Sequence, residues 1–478
     1  MTAKNLSIAW FRQDLRMADN PALSAAAEHG EVLPIYILDD VNAGDSAMGA
    51  ASRVWLHHSL TALNEALDGR LVLFRGNARE IIEALVTRLP VNSVFWNRCY
   101  EPWRIQRDAE IKLDLGAHNI EQRSFNAALL WEPWTVAKKD GTPYRVFTPY
   151  YQRGCLSRPV PRQPLPPPAR LRWHDETIAA SRTLNELELL PTTVSWHESL
   201  RNHWQIGETA ALRRLDDFCD ASLNTYKSGR DFPALDATSR LSAHLHFGEI
   251  SPHQAWHRIG QAAISNRSDG PAHFLREIAW REFSYHLLYH FPQLPRKNYN
   301  RKFDEFQWLE DETSLQAWQR GQTGFPIVDA GLRELWQTGY MHNRVRMIVA
   351  SFLIKNMLLH WRSGQAWFWD CLVDADLASN SASWQWCAGS GADAAPYFRI
   401  FNPVLQSEKF DPEGEYLLRY CPELAALPAR FRHKPWEASA EILRAAGITL
   451  GVDYPAPILD LKVTRERALA RYKALRSA

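Results

Sequence analysis

The 478-residue sequence has no GxGxxG and no GxxxxGK[ST], so the usual glycine-rich cradles for dinucleotide and nucleotide phosphates are missing. Its six cysteines (Cys99, Cys155, Cys219, Cys371, Cys387, Cys421) are scattered, with no CxxC and no close Cys/His group. That argues against a zinc site or a disulfide framework and fits a reducing cytoplasm; no metal is expected. Long apolar runs are lacking too. The most apolar helical stretch, Met347 to Leu359, is broken by Lys355 and Asn356, so no bilayer span is expected. Only a short apolar strand follows Lys4, not a signal peptide. Neither sign of charge dominates. With 55 Lys and Arg against 54 Asp and Glu the net charge is +1, so any nucleic-acid site has to be a local patch. There is no internal repeat and no low-complexity tail.

What is present first is size and tryptophan. At 46% hydrophobic and 23% charged residues the composition is that of a soluble globular protein, with chain enough for two or three cores. Twenty Trp is more than packing calls for, because a buried indole N–H needs an acceptor. Short apolar runs at 6–11, 32–38, 71–74, 91–96 and 120–124 alternate with helix-like segments at 21–27, 53–67, 78–85 and 102–115. The alternation predicts an α/β N-terminal domain over residues 1–130, built on a doubly wound parallel sheet. Ligands of such sheets sit outside the carboxyl ends of the strands. Residues 158–168 hold six prolines in eleven positions and cannot continue helix or sheet, so 131–199 is expected to be a long Pro-rich interdomain linker. From Trp204 onward apolar residues recur at helical spacing, as in Ala211, Leu212, Leu215 and Phe218, and no strand pattern returns. Residues 200–478 are therefore expected to form an all-helical domain.

The stretch from Thr323 to Asp411 mixes charge and indole where apolar core is expected. It holds six Trp, with Arg344, Arg346, Asp374 and Asp376 threaded among Trp361, Trp384 and Trp386. The mixture points to a polar, aromatic cofactor inside a helical domain. An arginine in an apolar helix needs an anion, which Asp374 or Asp376 can supply, although capping a helix is the plainer role for either one alone. Together with Asn380 they could surround a flat heterocycle with ring nitrogens; as a metal site the pair is thin. Trp384 and Trp386 flank Gln385, so on a helix they point in different directions. Trp361 and Trp308 extend that line. Neutral indoles in reach of one another can pass electrons, while core packing is the ordinary role of any single Trp. Upstream, Thr238-Ser239-Arg240-Leu241-Ser242 precedes a helical run; its hydroxyls and free N–H groups suit a pyrophosphate, or simply cap a helix. Glu277, Trp280 and Arg281 share one helix face. They read as a carboxyl and an indole lining a pocket with Arg281 reaching a phosphate, or as a solvated ion pair beside a core Trp.

Taken together these residues resemble the photolyase/cryptochrome flavoprotein family, and the likeness covers nearly the whole chain. It runs from Ala9-Trp10-Phe11-Arg12-Gln13-Asp14-Leu15-Arg16 and Asp19-Asn20-Pro21-Ala22-Leu23, through Thr238 to Ser242 and Trp280-Arg281-Glu282-Phe283, to Trp384-Gln385-Trp386 and the run DAAPYFRIFNP from Asp393 to Pro403. The resemblance implies FAD in a helical C-terminal domain and an antenna chromophore on the α/β domain. It implies that Thr238, Ser239, Leu241 and Ser242 hold the phosphates. Tyr226, Phe274, Arg281, Asn343, Arg346, Asp374 and Asp376 would line the rest of the FAD site, Phe274 standing where some members carry Trp. Asn380 falls where the family faces flavin N5. Trp384, Trp361 and Trp308 fall on the family's photoreduction chain, innermost first. The family's (6–4) enzymes place His at the two positions held here by Asn343 and Met347, so the chain looks like a bacterial cyclobutane pyrimidine dimer photolyase. Glu277 and Asn343 would then hydrogen-bond flipped-out bases, with Trp280, Trp386 and Met347 packing on them and Arg230 and Arg344 meeting DNA phosphates. The asparagine–glutamate pair of some folate-binding members is not reproduced after Asn97 to Trp103. For the antenna, 5,10-methenyltetrahydrofolate is favoured, with 8-hydroxy-5-deazaflavin as the alternative.

The implied activity is light-driven repair of UV-damaged DNA by a cytoplasmic monomer: an electron passes from excited, reduced FAD to the dimer, the ring splits, and the electron returns. Two other readings share the fold, a blue-light photoreceptor signalling through protein partners and a flavoprotein electron carrier without DNA. Asn380, the Glu277/Trp280/Trp386 pocket and the lack of a long extension after the helix expected at 463–475 favour repair.

Overall fold

The computed structural model describes residues 5–265, 268–394 and 398–477, so 395–397 of the Asp393 to Pro403 run lie outside the described residues. The chain divides into two compact units. Residues 1–224, 239–292 and 373–378 form the first; residues 225–238, 293–372 and 379–478 form the second.

The first unit is built on a parallel sheet. Strands β1 (Leu6–Phe11), β2 (Glu31–Leu38), β3 (Val72–Arg75), β4 (Val91–Asn97) and β5 (Glu121–Phe125) pair in the order β3-β2-β1-β4-β5. Successive residues face different cores. Ile8, Trp10, Ile35 and Trp96 pack under the helices Ala78–Arg88 and Pro102–Ala117, whereas Ala9, Phe11, Tyr36 and Phe95 pack under Pro21–His29 and Ala50–Ala66. Coverage on both faces is why β2 reads as an unbroken apolar run from Val32 to Leu38. The helix Pro21–His29 starts where the sequence says it should: the Asn20 side chain accepts from Leu23 N at 3.1 Å, and Pro21 needs no partner in the first turn.

Two features depart from expectation. A sixth strand, β6 (Arg172–Trp173), pairs parallel with β2 inside the stretch expected to be linker, without an apolar run to announce it. The rest of that stretch is tied down as well. Leu165 N donates to Asp19 Oδ1 at 2.9 Å, Arg182 N donates to Leu73 O at 2.7 Å, and Leu187 and Leu189 are buried in the core. Second, the division does not fall at 199/200. Leu200, Ala243 and Phe247 join the core formed by Phe11 and Trp55, and the helices Glu208–Ala221, Ser242–Phe247 and Gly270–His290 belong to the first unit. An amphipathic helix shows in sequence that one face is buried, but not what covers it.

The second unit is helical, with Pro326–Thr338, Asn343–Ser351, Trp361–Cys371 and Leu461–Ser477 among its elements. Its buried Asp329 accepts from Thr323 N at 2.7 Å and from Tyr454 Oη at 2.7 Å, pinning the turn before Pro326–Thr338. Phe303, Phe306, Leu358, Phe398 and Ala468 form a small core. Among the described residues no helix is long and apolar enough to cross a membrane.

Candidate active site

In the second unit, Asn380 is buried and its Nδ2 donates to the Gln365 backbone carbonyl at 3.1 Å. A carbonyl can only accept, so the amide is fixed with Oδ1 as its remaining acceptor end. Beyond the next turn of the same helix, Leu377–Ala388, Trp384 and Trp386 part company, as two residues of helix require. Trp384 is buried against Phe368 at 4.9 Å and Trp318 at 6.3 Å between ring centroids. Trp386 is half-buried, donates Nε1 to Asp393 O at 3.1 Å, and lines an open pocket with Met347, Lys355 and Arg399. Lys355 is itself buried and donates to the Arg399 carbonyl; burial brings its amine down to about 8.

Trp361 is fully buried and donates Nε1 to Asn298 Oδ1 at 2.9 Å. Trp308 is half-buried. Between them lies His360, 5.5 Å from Trp361 and 5.3 Å from Trp308 by ring centroids. Burial, with the Arg362 charge, brings His360 down to about 4, so it is a neutral ring in this path. Sequence reasoning missed His360 because a lone His beside Trp carries no pattern.

Arg344 of the helix Asn343–Ser351 resolves differently from expectation. For Arg344 the anion is Asp231, at 2.6 Å, rather than Asp374 or Asp376, and its guanidinium lies 4.4 Å from the Phe410 ring centroid. Asp231 sits 113 residues away in a short polar segment, beyond the reach of periodicity. Arg346 donates Nε to Met341 O at 2.7 Å and lies 5.3 Å from the Tyr340 ring centroid. Asn343 is exposed at the first position of the helix, and Met347 follows one turn later. Tyr226 is buried under the Arg230 guanidinium at 5.4 Å.

In the first unit, the helix Gly270–His290 carries Phe274, Glu277, Trp280 and Arg281. Phe274 is buried on Phe218, with ring centroids 4.9 Å apart. Trp280 stacks face to face on Phe147 at 3.8 Å, so one face of the indole is covered. Arg281 is not a solvated partner of Glu277. Its Nη1 donates to Ala128 O at 2.8 Å, and its guanidinium lies 4.9 Å from the Tyr285 ring centroid. Glu277 is half-buried. Asp374 and Asp376 are both buried. Burial alone would raise the Asp376 carboxyl, but His246, Arg281 and Tyr285 outweigh it and hold the group well below the usual carboxylate range. At the other motif, Ser239 is buried, Ser242 opens the helix Ser242–Phe247, and Leu241 occupies the cap without a side-chain bond, so the plain Ser/Thr cap does not describe it. Thr238, in the second unit, is half-buried.

The sheet has a site of its own. The strand order reverses between β1 and β4, and there, past the carboxyl ends, lies an open cavity lined by Trp10, Arg12, Asp39, Trp103, Arg104 and Arg107. Arg12 pairs with Asp108 at 2.6 Å and Arg107 with Asp39 at 3.0 Å; Arg107 also lies 4.8 Å from Trp10 and 5.0 Å from Trp103. Trp10 Nε1 and Arg12 Nε are buried without a hydrogen-bond partner. Of the Asn97 to Trp103 stretch, Trp103 reaches the cavity, whereas Asn97 donates to Asn20 Oδ1 at 2.7 Å.

Known proteins resemble this chain in sequence and in fold. A profile described as the FAD binding domain of DNA photolyase matches residues 274–474, and one described as DNA photolyase matches residues 7–169. The deoxyribodipyrimidine photo-lyase of Agrobacterium fabrum is 50% identical over 473 residues, 98% of either chain. Cryptochrome-1 of Arabidopsis thaliana is 37% identical over 473 residues, which cover 96% of this chain and 69% of that protein. The crystal structure of a bacterial class III photolyase from Agrobacterium tumefaciens superposes with a TM-score of 0.96 at 49% identity, covering 100% of this chain and 99% of that one. The chain therefore belongs to the DNA photolyase family, whose FAD-binding domain it carries.

Proposed function

We propose that this protein splits cyclobutane pyrimidine dimers in UV-damaged DNA, using light and bound FAD. The observation that carries the reading is the open pocket that Met347 and Trp386 line together. A flipped-out dimer needs an apolar, aromatic wall, and flipping costs a few kcal/mol, least at a damaged, poorly stacked site. Neither Asn343 nor Met347 can act as an imidazole acid, which argues against (6–4) chemistry. Asn343 offers an amide and Glu277 a carboxyl to the base edges. Trp280 keeps one indole face for stacking, since Phe147 covers the other. Arg230 and Arg344 supply phosphate contacts, which set affinity and its salt dependence.

When bound and fully reduced, FAD supplies the light-driven electron that opens the dimer and takes it back. The chain's own residues hold it and set its surroundings. Thr238, Ser239, Leu241 and Ser242 bind phosphate; Tyr226, Phe274, Arg281, Asn343, Arg346, Asp374 and Asp376 line the remainder. Asn380 Oδ1 would accept a hydrogen bond from N5–H, because its Nδ2 is committed to Gln365. Trp384, Trp361 and Trp308 form the relay to the surface, with the neutral His360 between the last two.

The cavity at the sheet's switch point is the antenna site of this reading. Trp10 and Trp103 suit a flat ring, and the arginines suit an anionic tail. Of the two chromophores weighed, 5,10-methenyltetrahydrofolate carries both parts, and 8-hydroxy-5-deazaflavin is the alternative. The protein acts as a monomer in the cytoplasm, where its six buried, unbridged cysteines stay reduced.

The test is binding in the dark followed by light. The holoprotein should prefer UV-irradiated duplex, with affinity that falls as salt rises, and should release it on blue illumination. No preference for irradiated DNA would favour the photoreceptor reading.

A further inference from the structure

Two groups converge on one oxygen of Asp376. The Tyr285 hydroxyl donates to Oδ2 in a short hydrogen bond, and His246 Nδ1 lies 3.7 Å from the same atom. All three side chains are buried and belong to the first unit. Tyr285 stands one helical turn after Arg281, whose guanidinium lies over its ring, and Tyr100 packs against it edge-on at 6.1 Å. The ring is therefore held from two sides, and its hydroxyl has little freedom to turn elsewhere. Burial and the charge of Asp376 push the phenol well above its usual range, so it remains a donor. Asp376 remains an anion with its charge drawn toward Oδ2.

We infer that Tyr285 is a positioning residue for Asp376: by fixing Oδ2 it sets the direction of Oδ1 and the share of negative charge that Oδ1 presents to the flavin. The inference rests on the reading of Asp376 as a flavin-facing residue. A carboxylate that accepts through Oδ2 cannot rotate about its Cβ–Cγ bond without breaking that charge-assisted bond. Drawing charge onto Oδ2 also makes the field at the flavin less negative, so the flavin takes up electrons more readily.

The experiment compares holoprotein with Tyr285→Phe and with Asp376→Asn. Tyr285→Phe removes one oxygen and leaves the ring between Arg281 and Tyr100. It should retain FAD while the flavin midpoint potential moves negative, leaving about three- to tenfold less reduced flavin at a fixed poise, the scale of one charge-assisted hydrogen bond. The absorption bands of the oxidised flavin should shift with it. A lower melting temperature with unchanged potential and bands would mark the hydroxyl as merely structural and overturn the inference, provided Asp376→Asn alters both. Unchanged potential and bands in both variants would overturn the flavin assignment of Asp376, and the inference with it.

Discussion

A Cβ on Gly364 would lie 2.1 Å from Cη2 of Trp384, so only glycine at this helix position lets the indole rest against the backbone. Gly364→Ala should push Trp384 out of its seat and cost about 1–3 kcal/mol by overpacking. Urea denaturation would read the loss, and the yield of flavin photoreduction should fall in the same variant. Wild-type stability would show that the indole has room to shift.

Trp384→Phe should block photoreduction of oxidised FAD and leave repair intact once the flavin is reduced chemically. The two assays run on one preparation. Equal loss in both would make Trp384 a packing residue only.

Asp231 restrains Arg344 at 2.6 Å, with both side chains partly exposed. Arg344→Ala should weaken binding to irradiated DNA and lower the salt slope by about one phosphate contact. Asp231→Asn should strengthen binding at low salt, because it removes the competing anion. A salt titration of binding checks both, and an unaltered slope in Arg344→Ala would exclude the phosphate contact.

Glu282 is buried and accepts from Leu130 N at 2.9 Å and Trp131 N at 3.3 Å. Burial pushes its carboxyl from 4.5 up to about 7, against the pull of Arg281 and the two backbone donors. The folded form thus keeps a proton that the unfolded chain gives up near 4.5. This contribution is full below that pH and is lost as pH rises through about 7, with a slope no steeper than about 1.4 kcal/mol per pH unit. Glu282→Gln keeps an acceptor for Leu130 and Trp131 and should flatten the stability profile over this range. Coincident profiles for the two proteins would contradict the assignment.

The sheet was legible because strands buried on both faces are rich in apolar residues, as the run from Val32 to Leu38 shows. Arg172–Trp173 was not, since two residues of edge pairing need no apolar run. The divergence of Trp384 and Trp386 follows from helix geometry alone. What periodicity cannot supply is the partner. Asp231 for Arg344, Phe147 for Trp280, Gln365 for Asn380 and Tyr285 for Asp376 each depend on long-range packing, and each changes what the named residue can do. The boundary at 199/200 fails for the same reason, because Leu200 and Phe247 reveal a buried face but not the α/β core that buries it.

Counting lesions tests the central claim most directly. Holoprotein with its FAD fully reduced is mixed with one oligonucleotide carrying a cyclobutane dimer and another carrying a (6–4) photoproduct, then illuminated with near-UV or blue light. The dimer should disappear with its two pyrimidines restored, and the (6–4) lesion should persist. A dimer content unchanged after illumination, with FAD bound and reduced, would contradict the claim.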